Sequence, residues 1–515
     1  MDASPSVLIV GSGPTGATYA RLLLEAVENV SVLMVEAGPV VSTPPGTNVK
    51  NIANPQEQAV ARSASQGDSA SGLTGLPSGA AVEGTVTARQ GTHLIGRPAE
   101  GSEGMPAAAV ATCVGGQGAH WTCATPRPVG SERIDFIDAQ EWDQHVDRAE
   151  QLLHVTRTAF SDSPQAEGLL GTVRDAFAPE GIEVRLLPVS GDQRPDGTMR
   201  WGGTDLLLSV LTNNDRFRLR PRTLAVRLRR EGNRVVGAVL KNLETGAEEE
   251  ATADVVVVAA DALRTPQLLW ASGIRPAALG RYLTEHPLLF GFVAVREGVL
   301  PPLDPDAGVV DPIQAVVSVG YDEERHPYHA QLMYSPICPL PLSEDSPYRD
   351  NPAGYVGMGW GVRKWPRPED RLVFDDADPS DDGLPGISIA YELTEREEVE
   401  LERAQAHQAI AAAALGNFVE GMPVIMPAGS SLHYMGTFRV GADDDGTSVC
   451  DTYSRVWNTP GLVLAGNGLI PTANSCNPTL TSVALAVRGA TKLARDMGGA
   501  DQLSGKNAEV VASQT

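Results

Sequence analysis

The sequence predicts an α/β protein: a Rossmann-like domain built on a parallel sheet, joined to a second domain with an antiparallel sheet and helices. Three observations carry this. The N-terminus reads strand, glycine turn, helix, strand in "SVLIVGSGPTGATYARLLLEAV" and "SVLMVEAG". A valine run, "VVVVAA", marks another buried strand, and "PGLVLAGNGLIPTANSCNPTLTSVALAV" returns to strand, glycine turn and helix near the end of the chain. Between about 290 and 440 the texture changes to Pro, Tyr, Trp and alternating strand-like runs.

In order along the chain, Ser6–Val10 is a short apolar run and hence a buried strand. The helix after it places Ala17, Ala20, Leu24 and Val27 on one face, and Ser31–Gly38 completes a βαβ unit. From Ser42 to about Pro106 the chain drifts into Ser, Gly, Ala and Pro, broken by "ARQGTHLIGRP"; long loops of this kind are functional or mobile. Glu141 to Phe160 reads as helical. From Phe217 to Asp261, β-rich stretches alternate with the turn signals "EGN" and "ETG", and the basic run "RLRPRTLAVRLRR" reads as a solvated strand pair. "LRTPQLLWASG" opens a helix with proline in its first turn. Further on, "AQLMYSPICPL" and "GYVGMGWGV" read as strands and "TEREEVELERAQAHQAIAAAALG" as a helix. Residues 501–515 read as a disordered tail, and no internal repeat is visible.

At 515 residues the chain exceeds the size of a single core, so two domains are expected. A formal charge of −24 lacks the cationic footprint that nucleic acid or an anionic membrane surface requires. No stretch approaches the roughly 18 apolar residues of a membrane span, and the N-terminus has no basic leader. Five sparse cysteines fit neither a disulfide scaffold nor a zinc site and suit a reducing compartment, so the expected location is cytoplasmic.

Gly11, Gly13 and Gly16 form G-x-G-x-x-G between a strand and a helix, and Glu36 follows Gly16 by twenty residues at the end of the next strand. Gly11 permits the tight turn, Gly13 lets backbone approach a pyrophosphate, and Gly16 allows close helix packing. The helix N-terminus offers free N–H groups to phosphate, while Glu36 can accept from ribose hydroxyls. The fingerprint serves NAD or FAD. A sheet that begins at residue 7 and closes in the last hundred residues favours the longer FAD.

With those segments placed, the chain resembles the glucose–methanol–choline (GMC) oxidoreductases, and within them the pyranose oxidase and glycoside 3-oxidase branch. The resemblance rests on the fingerprint with "VEAG", on "ADVVVVAADALRTPQLLWASGI", "LGRYLTEHP" and "GNGLIPTANSCNPTLTSVALA", and most specifically on "GGQGAHWTCATPRP". It implies a GMC-type FAD domain over 1–150, 205–290 and 445–500, and a substrate domain over 151–204 and 291–444. In the H-W-T-C-A-T-P loop of that branch the histidine is joined to the flavin 8α-methyl. Here that implies FAD contact through Gly116, His120, Trp121 and Thr122, with a covalent bond at His120 as one outcome and simple packing against the ring as the other. Ala225 is expected to meet the adenine, and Gly466, Asn467, Pro478 and Thr479 to contact FAD from the C-terminal segment.

"SSLHYMGTFRVG" resembles the segment that supplies the catalytic histidine, at His433, and "CNPT" supplies its partner, Asn477. Alcohol oxidation needs a base for the hydroxyl proton, a role that neutral imidazole suits near pH 7. Asn477 can hold the same hydroxyl so that its C–H bond faces the flavin. Phe438 stands where many relatives carry histidine and Val440 where methionine is common, and the chain is shorter than the fungal pyranose oxidases. His286 in "LTEHP" reads as a structural turn. His326 and His329 lie three apart, but Pro327 disfavours the helix a ligand pair would need, and no metal is expected.

The resemblance implies oxidation of a ring secondary hydroxyl of a sugar. Free pyranoses oxidised at C2 and glycosides, including C-glycosides, oxidised at C3 both stand, with O2 or a quinone as electron acceptor and a monomer or small homo-oligomer as the assembly. The alternatives are a GMC enzyme acting on a non-sugar alcohol and a flavin-containing binding protein without turnover.

Overall fold

The alternation of apolar strands and glycine turns folds as one parallel sheet. In the computed structural model, residues 6–499 are described apart from 67–80, 83–84, 87–90, 96, 303–312, 339, 341 and 381. The expected disordered tail and part of the 42–106 loop therefore lie outside the described residues. Strands β1 (Val7–Val10), β2 (Val32–Val35), β3 (Phe217–Arg220), β4 (Val255–Val258) and β5 (Leu462–Leu464) lie in the order β3-β2-β1-β4-β5. Every pairing is parallel, with Val7 flanked by Val32 and Val255. β1 and β2 are buried along their whole length, as expected of strands covered on both faces.

Helix α1 (Pro14–Ala26) follows β1, with proline in its first turn. The predicted face is buried, yet so are Tyr19, Leu22 and Leu23 on the other sides. The reason is the C-terminal helix α4 (Thr479–Asp496), which packs against α1 and brings the two ends of the chain together. Gly489 permits that approach, since a Cβ there would lie 1.9 Å from the Tyr19 hydroxyl. Helix α2 (Ala139–Leu152) packs on α4 and is capped by Asp138, whose side chain accepts from the Glu141 N–H. It stops eight residues short of the expected Phe160, at a bend where His154 takes φ 49°.

The basic run is not a strand pair. Its first half is β3 of the parallel sheet, and its second half, Thr223–Glu231, forms a separate antiparallel sheet with Arg234–Asn242 and Glu248–Thr252. The acidic "EEE" of that sheet meets two of its arginines: Arg220 pairs with Glu249, and Arg229 reaches Glu250 at 3.0 Å.

The 290–440 region forms the antiparallel sheet its texture predicted. Gly416–Phe418, Leu288–Val295, Tyr355–Val362, Tyr328–Ser335, Ala315–Val319 and Val184–Leu186 lie side by side, all antiparallel. Helix α3 (Glu395–Leu415), opened by a Thr394/Glu397 capping box, packs across the Leu288–Val295 and Tyr355–Val362 strands. None of the described helices is long and apolar enough to cross a membrane. The five cysteines are free thiols.

Candidate active site

The turns that leave β1, β2, β4 and β5 open onto one cavity of about 660 Å³, bounded on its other side by the segment around His433. This is where an open α/β sheet binds its ligand, beyond the carboxyl ends of its strands. The fingerprint glycines divide the work. A Cβ on Gly11, which has φ +101°, would lie 2.2 Å from the Ala259 carbonyl oxygen, and one on Gly16 would lie 2.3 Å from that of Gly11. Gly13 is different: a Cβ there meets nothing closer than the Gly115 oxygen at 4.0 Å. Its missing side chain leaves open cavity, as a backbone that must accept a pyrophosphate should. Gly16 accordingly lies under the turn and does not line the cavity, whereas Gly11, Gly13 and Glu36 do.

Glu36 is committed to the turn more than the ribose reading allowed. Its Oε2 accepts from the Ser12 N–H at 3.1 Å and hydroxyl at 2.8 Å, and its Oε1 accepts from the Gly38 N–H at 2.9 Å. Burial pushes its pKa up, and the Gly38 and Ser12 donors pull it back. Of roughly four acceptor sites on a carboxylate, three are occupied. Ser12 also ties this corner to the glycine-rich loop, since its hydroxyl accepts from Gly115 N–H at 3.0 Å.

That loop enters through Gly115 and Gly116, both at positive φ, and forms a short 3-10 turn over Gly116–Ala119. Gly116, Trp121 and Thr122 line the cavity. The Trp121 indole donates to Gly202 O at 2.7 Å, which fixes the ring. His120 departs from the arrangement the resemblance implies. It is not among the lining residues. Its Nε2 lies 2.8 Å from Ser65 Oγ and 3.7 Å from Cys113 Sγ, and its opposite edge packs under Gly91, where a Cβ would lie 2.3 Å from Nδ1. Ala225, Gly466, Asn467 and Thr479 do line the cavity, while Pro478 serves as the N-cap of α4 and does not. The N-terminal end of α4 thus faces the cavity with its positive dipole end.

These features fit FAD. The group would lie along Gly11, Gly13 and Glu36 at one end and reach Trp121, Thr122 and the α4 N-terminus at the other.

At that second end His433 and Asn477 come together, His433 Nε2 lying 3.5 Å from Asn477 Nδ2. Backbone pairing positions the histidine: Thr284 and Met435 exchange hydrogen bonds at 3.0 and 2.8 Å, which sets "LTEHP" beside "LHYMG". Glu285 then receives the Gly429 N–H and, at 2.8 Å, the Ser431 hydroxyl, bracing the loop that carries His433. His286 is more than the expected structural turn, because its Nδ1 lies 3.0 Å from Nδ1 of His433.

Asn477 is held from two sides. Gln331, on the Tyr328–Ser335 strand, donates its amide N–H to Asn477 Oδ1. The residues before Asn477 are pinned by buried Glu132, whose Oε1 accepts from Ser475 N–H at 2.9 Å, Ser475 hydroxyl at 2.8 Å and Cys476 N–H at 3.1 Å. Glu132 Oε2 meets His329 Nε2 at 3.0 Å. His329 thus finds a carboxylate that the local sequence did not offer, and Glu132, His329 and Cys476 place ligand-type atoms within 4.8 Å of one another. The hydrogen bonds already made by Glu132 account for that cluster as a brace. His326 accepts from the Trp360 indole at 3.2 Å and takes no part.

The GMC oxidoreductase family matches residues 130–288 through its N-terminal part and 374–486 through its C-terminal part. Over 506 residues the chain is 42% identical to a C-glycoside 3-oxidase of Microbacterium trichothecenolyticum, covering 96% of this chain and 97% of that one. The chain is a GMC oxidoreductase. A C-glycoside 3-oxidase of Arthrobacter globiformis is also 42% identical, covering 96% of each chain. A pyranose 2-oxidase of Tricholoma matsutake is 30% identical, covering 96% of this chain and 94% of its own. Among solved structures, pyridoxine 4-oxidase from Mesorbium loti superposes with a TM-score of 0.63 at 19% identity, covering 95% of this chain and 99% of that one, which supports the fold.

The sequence of this GMC chain pointed to His433, Asn477 and ten further residues of the cavity wall. It missed Gln331, Glu132, His329 and the role of His286. Adjacency to "LTEHP" was the one available signal, since the others are brought together only by the fold.

Proposed function

We propose that this GMC oxidoreductase binds FAD in the cavity and oxidises a ring secondary hydroxyl of a glycoside to the ketosugar, at C3. The observation that carries this is the His433–Asn477 pair, 3.5 Å apart at the cavity wall. FAD, when bound, supplies the two-electron hydride acceptor. The chain supplies the rest. His433 Nε2 takes the hydroxyl proton as the carbinol C–H bond breaks, and the Asn477 amide holds the hydroxyl in the orientation that makes the transfer productive. Gln331 fixes which face of that amide is presented. The carbinol loses one proton and one hydride, leaving the carbonyl.

The two relatives named as C-glycoside 3-oxidases, at 42% identity over nearly the full length, favour C3 of a C-glycoside over C2 of a free sugar. Their naming as oxidases favours O2 as the acceptor. The test is anaerobic mixing of the flavin-loaded protein with an aryl C-glucoside, an aryl O-glucoside, free glucose and a simple aliphatic alcohol, with the product identified by NMR. The C-glucoside should bleach the flavin fastest and yield the 3-keto product. A 2-keto product from free glucose would move the protein to the pyranose 2-oxidase reading, for which the 30% identical relative is the support. Bleaching by the aliphatic alcohol alone would overturn the sugar assignment.

A further inference from the structure

We propose that His286 is a positioning residue that keeps His433 in the Nδ1–H tautomer, so that Nε2 faces the cavity as a bare base. The inference rests on His433 being the base and concerns how the chain makes it one.

Two imidazoles whose Nδ1 atoms lie 3.0 Å apart share one proton between them. Either His286 donates to His433, or the reverse. The polarity follows from the far ends of the chain of hydrogen bonds. Gln331 donates to Asn477 Oδ1, which turns the Asn477 NH2 toward His433 Nε2 at 3.5 Å. An amide NH2 can only donate, so His433 Nε2 has no proton of its own. Neutral His433 must then carry its proton on Nδ1 and donate it to His286.

His286 is built for the accepting role. It is buried, and burial together with the neighbouring His433 and His329 drives its pKa well below the ordinary value, so it is neutral. A neutral ring with a bare Nδ1 carries its proton on Nε2. That nitrogen is buried with no hydrogen-bond partner among the described residues, while the Asn474 backbone favours a proton on the ring. Room for the ring comes from Gly361 on the facing strand, where a Cβ would lie 3.2 Å from His286 Nδ1. The titratable groups about the pair are His329, with Glu132 behind it, and Glu285, whose carboxylate turns away to Gly429 and Ser431.

The polarity matters when the proton arrives. With His433 Nδ1–H donating, uptake at Nε2 leaves that hydrogen bond intact and strengthens it, because the donor is now charged. With the opposite polarity, Nε2 would hold a proton and could not act as base. An acceptor at His286 Nδ1 is what favours the productive tautomer.

Two measurements on the flavin-loaded protein test this. In protein labelled with ¹⁵N-histidine, the His433 ring, assigned by its loss in His433→Gln, should show a protonated Nδ1 and a bare Nε2 at pH 8. An Nε2–H tautomer would overturn the proposal whether or not His433 is the base. In anaerobic reduction, His286→Leu should lower the plateau rate about 10- to 100-fold. It should also move the acid-limb kinetic pKa down by about one unit, because the imidazolium loses its acceptor. His286→Asn, whose Oδ1 can accept in place of Nδ1, should restore both. A lower plateau with an unmoved kinetic pKa and no rescue by asparagine would reduce His286 to packing and overturn the proposal. If the leucine variant loses its flavin, the asparagine variant and the wild-type tautomer still decide.

Discussion

Glu132 and His329, 197 residues apart in the chain, meet at 3.0 Å with both side chains buried, and the other oxygen of Glu132 holds the backbone that leads into Asn477. The contact ties the antiparallel sheet to the loop before α4. Removing one member of such a buried hydrogen bond costs about 1–3 kcal/mol, since the survivor stays buried without its partner. Glu132→Ala should therefore lower the melting temperature and slow anaerobic flavin reduction. Burial alone would raise the Glu132 pKa, but His329 and Ser475 hold it below its ordinary value. Its contribution to stability is thus full above the unfolded pKa and fades as pH falls through the folded one. Glu132→Gln should flatten that acid loss in pH-dependent melts.

Glu285 predicts the opposite slope. Burial pushes its pKa up to about 7 against the Gly429 and Ser431 donors that lower it. Between about pH 4.5 and 7 the folded state keeps a proton that the unfolded state has lost, so stability falls as pH rises, by at most about 1.4 kcal/mol per unit. Glu285→Gln should remove that slope, gaining on the native protein as melts move from about pH 5 to pH 8. An unchanged slope would place the titration elsewhere.

The glycine turn predicts a split between folding and binding. Gly13→Val should purify folded but without flavin, because the added side chain enters open cavity. Gly11→Ala and Gly16→Ala should instead lower the melting temperature of the apoprotein, since each Cβ meets backbone oxygen within 2.3 Å. A yellow Gly13→Val protein would contradict the assignment of the cavity to FAD.

His120 carries a prediction about linkage. With its Nε2 on Ser65 and its ring behind the cavity wall, FAD should leave the protein on acid precipitation and appear in the supernatant. Colour kept in the precipitate, with flavin mass on the peptide containing His120, would mean that the ring leaves Ser65 to bond the cofactor.

Much of this was legible in the sequence because it is local. Val7–Val10, the three glycines and Glu36 are consecutive features whose spacing is set by one βαβ unit, and the sheet shows them as expected. "GGQGAHWTCATP" and "SSLHYMG" gave Thr122 and His433 as contiguous words. What was not legible depends on long-range closure. Gln331 is one of several polar residues on an alternating strand, and only strand pairing turns it toward Asn477. Glu132 stands in a surface-like stretch, "GSERIDF", yet is fully buried because the 474–476 backbone folds onto it. The basic run misled because its two halves join different sheets, the first pairing with β2 and the second with Arg234–Asn242.

The central claim is that His433 is the base and Asn477 its partner in holding the hydroxyl. Stopped-flow reduction of His433→Ala by saturating C-glycoside, without oxygen, tests it most directly. The variant should keep its flavin and be reduced about 10² to 10⁴ times more slowly than the native protein, with the acid limb of the pH profile gone. Reduction at the native rate, by a variant that is fully yellow, would contradict it.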